Sequence, residues 1–119
     1  MIDFMVRDAR MIASTAHPHD ADRIRAFIEE DYDRSGGFLS ATNHFMLQGG
    51  DTVKGKLKSL EAPLLVIHGT TDPIFSVGHG MAISDAVPAS EFLPIASGGH
   101  ELHRQDSGTI VPAIVRHTE

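Results

Sequence analysis

Two short polar strings carry residue types suited to acid–base chemistry: His68-Gly69-Thr70-Thr71-Asp72-Pro73 and Ser97-Gly98-Gly99-His100-Glu101-Leu102-His103. Histidine changes charge near neutral pH. A carboxylate bonded to one imidazole nitrogen fixes the tautomer and stabilises the imidazolium that forms when the other nitrogen takes a proton. Asp72 and His100 are therefore the candidate catalytic acid and base. Taken singly, each has a plainer reading, because Asp before Pro is a common turn and a loop histidine needs no chemistry. Their placement in the chain is what pairs them. Pro73 biases Asp72 toward an extended backbone, and Gly98-Gly99 would let the chain turn tightly and bring His100 over the site.

The elements that must position this pair lie in the second half of the chain. Pro63 opens a short apolar run, Leu64-Leu65-Val66-Ile67, closed by His68-Gly69. Such a run reads as a strand buried on both faces, the kind found in helix-covered parallel sheets. A polar turn follows, then a helix over about 77–87 stopped by Pro88, a strand over about 91–96, and a last helix over about 109–117. Pro112 would then fall in the first turn of that helix, where its missing N–H does little harm. In open α/β sheets functional residues gather at the carboxyl ends of the strands. Asp72 and His100 each follow a strand, so two adjacent parallel strands would bring them together.

The first half reads as helical, in three pieces. Met1, Phe4, Met5, Met11 and Ile12 fall near helical spacing in the first. In the second, Asp20 serves as N-cap, Ile24, Phe27 and Ile28 form the apolar stripe, and Ser35-Gly36-Gly37 ends it. The third spans about 38–48 and stops at Gly49-Gly50. The expected fold class is α/β: a helical cap-like segment over 1–50, then two parallel strands with flanking helices over 51–119. Two strands alone leave open edges and uncovered faces, so the sheet reads as incomplete.

From about Leu60 to His117 the chain resembles the last third of the α/β-hydrolase superfamily. The resemblance rests on the lead-in Leu60 to Pro63, the strand LLVIHG, the acid in TTDPI, the strand EFLPI and the string GGHELH, in that order. It implies that Asp72 and His100 are the acid and base of a triad whose nucleophile is a serine. It also implies that the helical first half corresponds to a cap over the site, and that the substrate is an ester with a small or medium apolar acyl group. The departure is equally specific. The family's serine sits in a G-x-S-x-G elbow, and none of Ser14, Ser35, Ser40, Ser59, Ser76, Ser84, Ser90, Ser97 or Ser107 has that context. The expectation is a C-terminal portion of a serine hydrolase, inactive alone, that would pair with a serine-bearing chain or self-associate. The competing expectation is a non-catalytic remnant serving as an interaction module through its exposed sheet edge.

The remaining composition narrows the classes. A formal net charge of −6 argues against nucleic acid, whose binders depend on clustered Lys and Arg; Lys54, Lys56 and Lys58 read as a solvated face. Without cysteine there is neither disulfide nor thiolate metal site. No apolar run reaches membrane-spanning length, and the acidic N-terminus lacks signal-peptide character, so a cytoplasmic location is expected. His17, His19 and Asp20 form an HPHD string whose ligand types suit zinc or iron. Without a helical H-E-x-x-H pair, and with Pro18 in its midst, it reads as a helix-start loop. His68 is expected at the strand end near the site, and His103 at the surface or beside the base. No cofactor or metal is expected.

Overall fold

A computed structural model describes residues 1–39, 43–47 and 56–119. The chain divides into two compact units, one made of Met1–Met11 and His19–Lys54, the other of Ile12–Pro18 and Gly55–Glu119.

In the first unit, helix α1 (Ile2–Ile12) carries Asp3 in its first turn and Arg10 in its last, matching the helix dipole at both ends. Its buried residue is Val6, while Met1, Phe4 and Met11 are exposed. The inward stripe is therefore Ile2, Met5, Val6 and Ala9 (i, i+3, i+4, i+7); of the expected Met1, Phe4, Met5, Met11 and Ile12, only Met5 and Ile12 are half-buried. Helix α2 (Ala21–Ser35) begins as expected: the Asp20 carboxylate accepts the Arg23 amide at 3.0 Å. It ends on Gly36, whose φ of 68° is the left-handed conformation of a helix stop, with the Gly37 amide donating to the Tyr32 carbonyl at 2.8 Å. Ile28 is buried and Phe27 is exposed. An Asp3–Arg25 ion pair ties α1 to α2.

The third helix expected over 38–48 is not α-helical where it is described. Phe38 and Leu39 continue the turn after Gly37, and Asn43–Met46 is a single 3-10 turn. Ser40, Thr42, Asn43 and two adjacent glycines at 49 and 50 supply little helix propensity. Residues 40–42 and 48–55, including the Gly49-Gly50 stop, lie outside the described residues.

The second unit holds the expected alternation. Strand β1 (Leu64–Gly69), helix α3 (Val77–Ala86), strand β2 (Ser90–Ile95) and helix α4 (Ser107–Thr118) follow one another, with 3-10 turns at Leu57–Ser59 and Arg104–Asp106. The strands pair in parallel from Leu64 opposite Ser90 to Gly69 opposite Ile95. This is a small mixed α/β unit with a two-stranded parallel sheet among the described residues. Its core is thin: Val87, Ile95, Ile110 and Ala113 are buried. Leu64 through His68 are only half-buried, against the expectation of a strand covered on both faces. Among the described residues β1 has a single pairing partner, so one of its edges is unpaired there. Pro94 lies within β2, a position proline tolerates on an edge strand. Helix α4 starts at Ser107, so Pro112 falls in the second turn and not the first. There it withholds the amide that would reach the Gly108 carbonyl. Among the described residues no helix is long and apolar enough to cross a membrane.

Close backbone approach fixes the glycines at the sheet's carboxyl end. A Cβ on Gly69 would lie 2.5 Å from the Gly98 carbonyl carbon, whereas one on Gly78 in α3 would meet only the Ser76 hydroxyl at 3.9 Å. Gly69→Ala should therefore cost at least about 1–3 kcal/mol through overpacking against rigid backbone. Gly78→Ala should gain up to about 1 kcal/mol from helix propensity. Urea unfolding of the two variants should move the midpoint in opposite directions.

Candidate functional site

The two loops leaving β1 and β2 are stitched to one another by threonines. The Thr70 amide donates to the Ile95 carbonyl, and both the amide and the hydroxyl of Thr71 donate to the Gly98 carbonyl, each at 3.0 Å. In return the Ser97 amide donates to Thr70 Oγ1 at 2.7 Å. Ser97 adopts φ 55°, the one left-handed residue other than glycine among the described residues. Neither Gly98 nor Gly99 does so. Their role is room: a Cβ on Gly99 would lie 2.5 Å from the Ala13 carbonyl carbon.

A third segment, Ile12–Pro18, straps the histidine-bearing loop from its other side. The His100 amide donates to the Ile12 carbonyl at 2.7 Å, and the Ser14 amide donates to Glu101 Oε1 at 2.7 Å. The Ser97 carbonyl accepts the Thr15 amide at 3.1 Å and the Ser14 hydroxyl at 2.8 Å. Ser14, buried, is thus a polar group with its donors satisfied. These bonds hold Ser97 in its uncommon conformation, and with it the direction in which His100 leaves the sheet.

On this frame Asp72 and His100 meet. Asp72 Oδ1 accepts the amides of Ile74 (2.7 Å) and Phe75 (2.9 Å), a tight turn that aims the carboxylate. Asp72 Oδ2 lies 2.7 Å from His100 Nδ1. The Asp72 side chain is 5 % exposed and that of His100 is 42 % exposed. Burial pushes the Asp72 carboxyl up. The Phe75 amide, the His100 ring and the Ile74 amide together outweigh it, and the group is held below its ordinary value. An ionised carboxylate only accepts, so Nδ1 carries the proton and donates. The neutral imidazole then keeps its lone pair on Nε2, which has no hydrogen-bond partner among the described residues. An imidazole held in this way can accept a proton at Nε2 while the carboxylate fixes its tautomer.

The surroundings form an open cleft of about 440 Å³ at the carboxyl ends of the strands, with Ile67, Ile83, Ile95 and Leu102 among the residues on its apolar side. Phe75 stands between two histidines, its ring centroid 5.2 Å from His79 and 5.7 Å from His100. His68, placed at the strand end as expected, lies 3.0 Å through Nε2 from the Phe75 carbonyl. A carbonyl can only accept, so Nε2 is the protonated nitrogen of His68. Nε2 also lies 3.9 Å from Asp72 Oδ2. His68 thus braces the acid-bearing turn and leaves the short bond to His100.

The HPHD string does not act as one cluster. Asp20 caps α2, and His19 belongs with that helix's unit. His17 belongs to the strap, where its Nε2 lies 2.9 Å from Asp106 Oδ1 and its ring stacks on His103 at 4.3 Å. Sequence reasoning missed the strap, the two stitching threonines and Asp106. The run Ser14-Thr15 followed by His17 was the one available signal, and it is weak. No family model matches the chain, and no curated protein matches it.

The Asp72 carboxyl gives the pair a pH signature. Its folded pKa lies below that of the unfolded chain, about 3.9. Its contribution to stability is complete above that value and is lost as pH falls through the folded value, where the unfolded chain binds more protons. Urea midpoints should therefore fall with pH in this acid window, and Asp72→Asn should flatten that part of the curve. Nitrogen-detected NMR at neutral pH should find the His100 proton on Nδ1; a proton resident on Nε2 would contradict the assignment.

Proposed function

We propose that this chain is the acid–base portion of an α/β-hydrolase-type ester hydrolase, with His100 as general base and Asp72 as the acid that orients it. The observation that carries this reading is the 2.7 Å Nδ1–Oδ2 bond, which leaves Nε2 as a lone-pair acceptor facing a cleft. The order of elements supports it: strand, acid loop, helix, strand, histidine loop, helix.

The nucleophile is a serine from outside this sequence. Its hydroxyl proton passes to His100 Nε2 as the serine oxygen attacks the ester carbonyl. The imidazolium, stabilised by Asp72, then returns the proton to the departing alkoxide. Water repeats the cycle to release the acyl group. The apolar side of the cleft suits a small apolar acyl group. Sheet chemistry supports completion by further strands. Pro94 disfavours pairing beyond β2, while β1 has no proline between Leu64 and Gly69, so added strands would pair with β1. Exposed Ile74, Phe75 and Leu102 beside the cleft, and Val111, Ile114 and Val115 on α4, are apolar surface that such a partner would cover. The same open surface favours a second reading, an interaction module that retains the pair without using it.

The two readings separate in one experiment. The chain is produced together with the polypeptide encoded immediately upstream, and hydrolysis of p-nitrophenyl esters is followed with fluorophosphonate labelling of serine. The hydrolase reading expects a labelled serine in a G-x-S-x-G context. It also expects that Asp72→Asn lowers turnover by about 10⁴-fold and His100→Ala by about 10⁶-fold. An upstream polypeptide without such a serine, or turnover indifferent to His100→Ala, would leave the interaction module as the better account.

A further inference from the structure

We infer that His17, His103 and Asp106 form a binding site for a divalent transition cation of the zinc class, outside the Asp72–His100 cleft and independent of the hydrolase reading. The three come from two segments: His17 from the strap, and His103 and Asp106 from the two ends of the 3-10 turn that leads into α4. One potential ligand atom from each lies within 4.8 Å of the others.

The spacing and the shielding fit such an ion. His17 Nε2 and Asp106 Oδ1 are 2.9 Å apart, so they need to part by only about 0.5 Å to become neighbouring ligands at about 2.1 Å in a tetrahedral site. Their side chains are 16 % and 18 % exposed, so little water competes for either. A simple histidine–carboxylate bond accounts for these two. It does not account for a second imidazole stacked on the first at 4.3 Å and 20°. His103 also presents an unprotonated Nδ1, which accepts only a long 3.2 Å bond from the Gln105 amide. Turning the His103 ring about its Cβ–Cγ bond exchanges that bond for the ion and opens the stack.

Two imidazoles and one carboxylate are a borderline donor set that selects zinc, cobalt, nickel or ferrous iron over calcium or magnesium. Three protein ligands leave a fourth position for water. The ion would replace the proton between His17 and Asp106. It would thereby staple the strap to the segment that follows His100, at a separation of 89 residues between its two ends.

The test uses untagged protein, with cobalt(II) titrated against visible absorption and zinc(II) against calorimetry. One equivalent of cobalt should bind with visible bands that zinc abolishes. His17→Ala and Asp106→Asn should each weaken binding by more than the about 10–100-fold that loss of an outer-sphere partner costs, while His79→Ala and His117→Ala should not. Either ligand variant could loosen the strap, so the unaltered protein supplies a second readout: ring nitrogen resonances of His17 and His103 should shift together on adding zinc. Absence of stoichiometric binding, binding that survives either His17→Ala or Asp106→Asn, or zinc shifts at other histidines alone would overturn the site.

Discussion

The bonds between Thr70, Thr71 and the Ile95–Gly98 segment join two loops that leave neighbouring parallel strands. Parallel pairing alone brings the ends of β1 and β2 to the same side, but it leaves the loops beyond them free to diverge. The threonines remove that freedom, at a point where Gly69 and Gly98 are too close for any side chain between them. Asp72 and His100 each sit a few residues past this junction, so the short bond between them inherits its geometry from it. The αL residue Ser97, the strap and the placement of His68 all follow from the same junction.

The two members of the pair are held by different means. Asp72 is fixed by its own neighbours, through amides two and three residues ahead, and it is almost wholly shielded. His100 is half exposed, and its backbone is anchored by distant residues. Such a division suits the chemistry of the pair. In the proposed acid–base role, the acid would stay ionised and immobile, whereas the base would present one nitrogen to a reacting group and turn slightly as it gains and loses a proton. Among the described residues no serine hydroxyl is hydrogen-bonded to the His100 ring.

Much of the second unit could be read in the residues. An unbroken apolar run ending in His68-Gly69, a proline stop at 88 and a second strand before a glycine pair define strand and helix by local pattern, and the loops following the strands nominate Asp72 and His100. Pattern failed where the deciding contact is distant or where propensity is weak. Ser14 bonds to Glu101 across 87 residues, and nothing local marks it. Ser97 takes the left-handed conformation although glycines follow it, because its amide and carbonyl are both claimed by other segments. The helix expected over 38–48 rested on its glycine stop at 49–50, in a stretch whose serine, threonine and asparagine favour turns. The α1 stripe was misassigned by one position, since several methionines and phenylalanines on an amphipathic helix permit more than one inward face.

The strap gives the site an order of assembly during synthesis. The acid turn closes over three residues, and hydrogen-bonded loops of that size form on the fastest timescales available to a chain. The histidine loop is braced by Ile12–Pro18, a segment made long before residues 97–101 exist, and that brace must wait for a long loop to close. A nascent chain therefore carries a shaped carboxylate well before it carries an aimed imidazole. Until the last strand and its loop have emerged, the Ser14 and Thr15 amides lack the partners they bond in the finished fold, and the Ser14 hydroxyl keeps only the Ala16 amide. The segment between residues 12 and 18 thus acquires most of its bonds only after residues 97–106 have been made.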